Sequence, residues 1–173
     1  MKLIPIHPCE FDHIYTEMEK NFILEERRDA CDARALLDEP RFTLYHMVDE
    51  DMHVGFVSTW WMGDFLFIEH LVTYEAYRKR GYGRQTLDTL KEQGLPLVLE
   101  VEPPLTEFAK GRIEFYKKVG FHLNDYPYHQ PPYRKGGTGV DMILMSYPQV
   151  LVMPEQIKKA LYTTVYGVRE DEI

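Results

Sequence analysis

The stretch Arg78-Lys79-Arg80-Gly81-Tyr82-Gly83-Arg84 constrains this chain more than any other. It follows an apolar run, Phe65 to Thr73, with the character of a strand, and it opens a helical pattern that places Leu87 and Leu90 on one face. A strand must therefore turn into a helix across two glycines. The first backbone N–H groups of a helix have no partner within it, and glycines without a Cβ let an anion come close to them. Four of the seven residues are basic in a chain of net charge −8, so the remainder carries −12. Positive charge is concentrated at this turn, which points to a small polyanionic ligand.

The acidic remainder excludes nucleic acid as the main partner, because a phosphate backbone needs a broad basic face. A cationic substrate suits it better. No apolar run approaches the length of a membrane span, and Met1 to Ile6 is too short and too soon broken by Pro5 for a leader, which predicts a protein without membrane association. Cys9 and Cys31 lack CxxC spacing and are expected to be reduced, as in the cytoplasm. The seven histidines show no HxH or HExxH spacing, so no metal is expected.

In chain order, Lys2 to His7 predicts a first strand, closed by Pro8. Phe11, Ile14, Tyr15 and Met18 mark a helix, and a second helix is expected from Glu25 to Leu37. Phe42 to Val48 and Val54 to Met62 form a hairpin pattern across Asp49-Glu50-Asp51, followed by the strand Phe65 to Thr73. After the helix that begins near Tyr82, Gly94 and Pro96 provide a stop, and Leu97 to Val101 is a buried-strand pattern. From Thr106 a further helix spaces Ala109, Ile113, Tyr116 and Val119 at three- and four-residue steps. It ends at Gly120, with Phe121 placed to pack back beneath the cap. Tyr126 to Tyr133 is an aromatic, proline-rich loop, Val140 to Met145 is a last strand, and the tail from Pro154 is an amphipathic helix presenting Ile157, Ala160, Leu161 and Val165.

Two signatures then resemble those of the GNAT superfamily of acetyl-CoA-dependent N-acetyltransferases. Arg78-x-x-Gly81-x-Gly83 is similar to its pyrophosphate signature, and Phe115-Tyr116-x-x-x-Gly120-Phe121 to its later one, about thirty-five residues downstream. The dinucleotide fingerprint fails because Thr86 stands where its third glycine belongs, and no P-loop pattern is present. The resemblance covers about Arg41 to Ser146. It implies a single α/β domain over residues 1–173: a mixed, mostly antiparallel sheet of six to seven strands flanked by helices, with a C-terminal helical extension over about 154–167.

The resemblance further implies an acyltransferase that uses acetyl-CoA. It would place the pyrophosphate on the backbone from Arg78 through Lys79, Arg80, Gly81, Tyr82 and Gly83 to Arg84, and the pantetheine arm along Leu71, Val72 and Thr73. It makes Tyr116 the proton donor to the departing thiolate. The acceptor is expected to be a small-molecule amine, approached by Asn21 to Glu26 and by Tyr126 to Tyr133, in a monomer or a homodimer. Presenting a lysine-type amine neutral at pH 7 costs about 4.6 kcal/mol, so a proton acceptor is needed. Glu69 lies two residues before Leu71 and by strand alternation shares its face, so it is the candidate base if burial raises its pKa or water relays the proton. The plain alternative for Glu69 is an ion pair with a neighbouring Arg or Lys, and Glu100 and Glu102 stand in reserve. Many GNAT members carry Asn where this chain has Ala109, which puts that cofactor contact in doubt. Two other readings stay open: an acyl-CoA-binding or interaction module without turnover, and an enzyme acting on protein N-termini or lysines.

Overall fold

The computed structural model describes residues 1–172. The chain divides into two compact units, Met1–Leu97 and a second that begins at Val98.

In the first unit β1 (Lys2–Pro5), β2 (Phe42–Asp49), β3 (Met52–Trp61) and β4 (Leu66–Thr73) pair in sequence order, all antiparallel. The helix α1 (Phe11–Asn21) buries Phe11, Ile14, Tyr15 and Met18 against Leu44, Phe56 and Val72 of the strands. Full burial of side chains of this size contributes about 1.5–3 kcal/mol each, which is what seats α1 on the sheet. The helix expected from Glu25 to Leu37 is broken into a 3-10 turn (Leu24–Glu26), the helix α2 (Ala30–Ala35) and a second 3-10 turn (Leu36–Asp38). Arg27 between them is extended, and Asp29 caps α2 by accepting from Asp32 N. Tertiary contacts override propensity here: Arg27 donates to the Tyr15 hydroxyl at 2.8 Å, and Arg28 reaches across to β4. The unit continues with α3 (Tyr82–Lys91), which buries Thr86, Leu87 and Leu90.

The ladders of β3 are interrupted twice. Met47 pairs with Gly55 but Val48 pairs with His53, leaving Val54 as an extra residue in β3. Ser58 pairs with His70 but Thr59 pairs with Ile68, leaving Glu69 as an extra residue in β4. Each is a β-bulge, which bends the strand and redirects a side chain.

The second unit holds all but the first residue of β5 (Leu97–Val101), then α4 (Glu107–Lys118), β6 (His122–Leu123), β7 (Tyr128–Gln130), β8 (Val140–Tyr147) and α5 (Pro154–Thr164). The strand β8 pairs antiparallel with both β6 and β7, so part of the expected aromatic loop is a short strand. Thr106 caps α4 by accepting from Ala109 N at 3.1 Å. At its other end Gly120 takes a φ of 93°, and Phe121 N donates to Tyr116 O while Gly120 N donates to Lys117 O. This left-handed cap brings the Phe121 ring to 5.6 Å from that of Tyr116, as the sequence predicts. The tail helix α5 buries Leu161, and just after it Val165 is buried too. Among the described residues no helix is long and apolar enough to cross a membrane.

Candidate functional site

The glycine turn has the geometry its residues require. Gly81 is the N-cap of α3 with φ 85° and ψ 1°, a left-handed conformation, and it offers no side chain to the amides of the first turn. Those amides are left for a ligand. Space is open as well, since a Cβ at Gly81 would meet nothing nearer than Gln85 Nε2 at 3.9 Å. Lys79, also at positive φ (63°), is exposed, and among the described residues its ammonium has no partner. Arg78 donates to Thr73 O at 3.3 Å and to Asn21 Oδ1 at 2.8 Å, which fastens the turn to the end of β4 and to α1. Tyr82 is anchored from its hydroxyl to Asp49 Oδ2 at 2.9 Å, and Arg84 lies 3.7 Å from Asp88. Leu71, Val72 and Thr73 thus lead toward the turn through a 3-10 turn, Glu75–Tyr77.

Glu69 departs from its expected setting. The bulge takes it out of the alternation, and its side chain lies with Trp60 and His70 instead of on the face of Leu71. Arg28 Nη1 donates to Oε1 at 2.5 Å, and Trp60 Nε1 donates to Oε2 at 3.1 Å. The side chain is only 1% exposed. Burial pushes the carboxyl up, as the sequence predicts, but the Arg28 charge and the hydrogen bonds from Arg28 and Trp60 outweigh it and hold the group below its usual value. The direction is opposite to the one expected for a tuned base. Beside it His70 is buried, and burial keeps its ring neutral. His70 Nε2 donates to Glu26 O at 3.1 Å, which leaves Nδ1 to accept from the Ser58 hydroxyl at 3.2 Å. Arg28 and His70 escape a reading by spacing because their partners are 41 and 44 residues away.

In the second unit Tyr116 lies on the buried face of α4, 9% exposed. Burial, eased by Arg112 and reinforced by Glu102, pushes its phenol up to about 12. Among the described residues its hydroxyl has no hydrogen-bond partner, so it is available to a ligand. Arg112 donates to Glu102 at 2.7 Å with its guanidinium 4.8 Å over the Phe108 ring, and Lys110 pairs with Glu107. Glu100 accepts hydrogen bonds from the hydroxyls of Tyr128 and Tyr166, the latter at 2.7 Å. Burial and the Glu100 charge push both phenols well above their ordinary value. Both reserve carboxylates are therefore engaged.

Residues 40–123 match the acetyltransferase (GNAT) domain family. A solved structure from Bacteroides thetaiotaomicron, assigned to the GNAT family, is 35% identical, with a TM-score of 0.91 over 98% of this chain and 100% of that one. The chain belongs to the GNAT family of acetyltransferases. The Bacillus subtilis (strain 168) protein YjbC, described as an acetyltransferase, is 29% identical over 110 residues, which span 62% of this chain but only 55% of that protein. An aminoglycoside 6′-N-acetyltransferase complexed with coenzyme A shares the fold at 18% identity, with a TM-score of 0.58 over 84% of this chain and 96% of that one.

As a GNAT member the chain has a mixed α/β fold with mostly antiparallel strands flanked by helices and a C-terminal helix. The eight strands among the described residues exceed the six to seven expected, because β6 and β7 are too short to announce themselves in the sequence. The matched region includes both signatures, and it crosses the junction between the two units. Against the GNAT pattern Ala109 remains a departure: it is 3% exposed and presents only a methyl group.

Proposed function

We propose that this chain moves the acetyl group of acetyl-CoA to a primary amine by direct attack within a ternary complex, both units acting as one catalytic domain. The observation that carries the reading is the open first turn of α3, with Gly81 left-handed and the unpartnered Lys79 beside it. A pyrophosphate there receives backbone N–H groups and positive charge together, and charge-assisted contacts of this type are the stronger ones. The coenzyme A complex of the aminoglycoside 6′-N-acetyltransferase supports the same ligand. The pantetheine arm then runs along Leu71, Val72 and Thr73, which Arg78 ties to the turn.

In the transfer the amine nitrogen attacks the thioester carbonyl, the C–S bond breaks, the nitrogen loses a proton and the sulfur leaves as thiolate, then thiol. With the Tyr116 phenol near 12 and a thiol near 8.5, full proton transfer from Tyr116 is uphill by roughly 5 kcal/mol. Its contribution is a hydrogen bond to the developing thiolate. The amine proton passes to solvent water, because Glu69 is held ionised by Arg28 and is only 1% exposed. The exposed thiols Cys9 and Cys31 suit a cytoplasmic setting.

A second reading, a coenzyme-binding module without turnover, is favoured by the Arg28–Glu69 pair and by Ala109. Thiol release from acetyl-CoA across a panel of small amines and peptides decides between them. Turnover is expected, reduced about 10²-fold or more in Tyr116→Phe with coenzyme affinity unchanged. Binding with no release for any acceptor supports the silent module. Gly81→Glu is expected to abolish coenzyme binding, and unchanged affinity in that variant overturns both readings.

A further inference from the structure

We propose that Glu10, His46 and His53 bind a divalent transition-metal ion of the zinc class, which fastens the N-terminal 3-10 turn (Pro8–Glu10) to the β2–β3 hairpin. One ligand atom from each lies within 4.8 Å of the other two. The three come from three separate elements of the first unit. The His53 ring approaches that of His46 because of the bulge at Val54. By strict alternation from Phe56, which lies opposite His46, His53 would point to the other face of the sheet. With Val54 looped out, His53 stands opposite Val48, two residues from His46 and on its face. The two rings are 4.0 Å apart.

His46 gives the independent signal. It is 3% exposed, and both Nδ1 and Nε2 are buried without a hydrogen-bond partner. Glu10 Oε1 lies 3.2 Å from Nε2, within ion-pair distance, and leaves Nδ1 unsatisfied. Buried polar atoms are nearly always satisfied, and an orphaned imidazole facing a second imidazole and a carboxylate lacks what an ion would supply. Glu10 is already oriented, since its other oxygen accepts from His7 N at 2.7 Å.

Tetrahedral zinc with bonds of about 2.0–2.1 Å requires ligand atoms about 3.4 Å apart. His53 is exposed and the Glu10 side chain is 37% exposed, so both can close the difference onto the fixed His46. The N₂O donor set suits zinc, copper or nickel, and three protein ligands leave a position for water. Sequence spacing does not reveal such a site, because the ligands are far apart in the chain and one faces the required side only through the bulge.

The test uses the untagged full chain, stripped with chelator and titrated with Zn²⁺ against a chromophoric chelator. One equivalent is expected, with a rise in melting temperature. His53→Ala and Glu10→Gln, both at the surface, are expected to weaken binding at least about tenfold and to remove the thermal shift while circular dichroism stays unchanged. No stoichiometric binding, or equal affinity in the native chain and both variants, overturns the proposal. So does binding that survives His53→Ala but is lost in Cys9→Ser, which would place the ion at the neighbouring His7–Cys9 pair, where Nδ1 and Sγ lie 3.0 Å apart.

Discussion

Two carboxylates, the buried Glu69 on β4 and the half-buried Glu100 on β5, are held in different ways. Glu69 is neutralised by a cation, with Arg28 at 2.5 Å and the Trp60 N–H completing its shell. Glu100 accepts hydrogen bonds from the phenols of Tyr128 and Tyr166, two donors that are themselves neutral. The difference is in what each site tolerates. A cation–carboxylate pair out of water depends on both partners, because removing either leaves a charge stranded. A carboxylate that accepts from two separate phenols loses one hydrogen bond when one of them is removed and keeps the other. The first arrangement is rigid, and the second degrades by degrees.

The sharpest way to break this comparison is Arg28→Met. It strands the Glu69 carboxylate and is expected to destabilise the protein by about 3–5 kcal/mol in urea unfolding, with part of the loss recovered on adding Glu69→Gln. A loss under about 1 kcal/mol would show that Glu69 does not depend on its cation. Tyr166→Phe is the milder counterpart. It removes one hydrogen bond to a charged group and should cost about 1.5–3 kcal/mol by the same measurement, since Tyr128 remains.

The smallest effect is expected in pH dependence, and the two sites should diverge there. The Glu69 carboxyl is lower in the folded chain than its ordinary 4.5, so its stabilising contribution is complete above that value and is lost as pH falls below it. The phenols of Tyr128 and Tyr166 are raised above 10, so their contribution is complete below pH 10 and is lost as pH climbs beyond it. Unfolding free energy followed against pH should show Glu69→Gln flattening only the acid limb and Tyr166→Phe only the alkaline one. An acid limb unchanged in Glu69→Gln would remove Arg28 as the cause of the depressed value.

What the sequence made legible was local. The glycine turn at Arg78 to Arg84 and the Gly120–Phe121 cap each depend on a few neighbouring residues, and both stand where their residues predict. Trp60 and Trp61 point to opposite faces, one 2% and the other 54% exposed, as alternation requires. The illegible features depend on partners distant in the chain. The helix expected from Glu25 breaks because Arg27 and Arg28 serve Tyr15 and Glu69, and no local pattern records those engagements. The face of Glu69 was misread because a bulge is a property of two strands together, visible only once β3 and β4 are paired. His53 escaped for the same reason.

The extra residue in β4 also changes how the strand should be read. On either side of Glu69 the alternation is intact but out of phase: Phe67 shares a face with His70, and Ile68 with Leu71, each pair three residues apart instead of two or four. The strand therefore carries two reading frames that meet at one residue. Before Glu69 the residues Leu66, Phe67 and Ile68 are buried on both faces; beyond it His70 and Val72 stay buried while Leu71 and Thr73 are half-buried as the chain runs toward the glycine turn. Glu69 is where the strand changes from burying both of its faces to burying one.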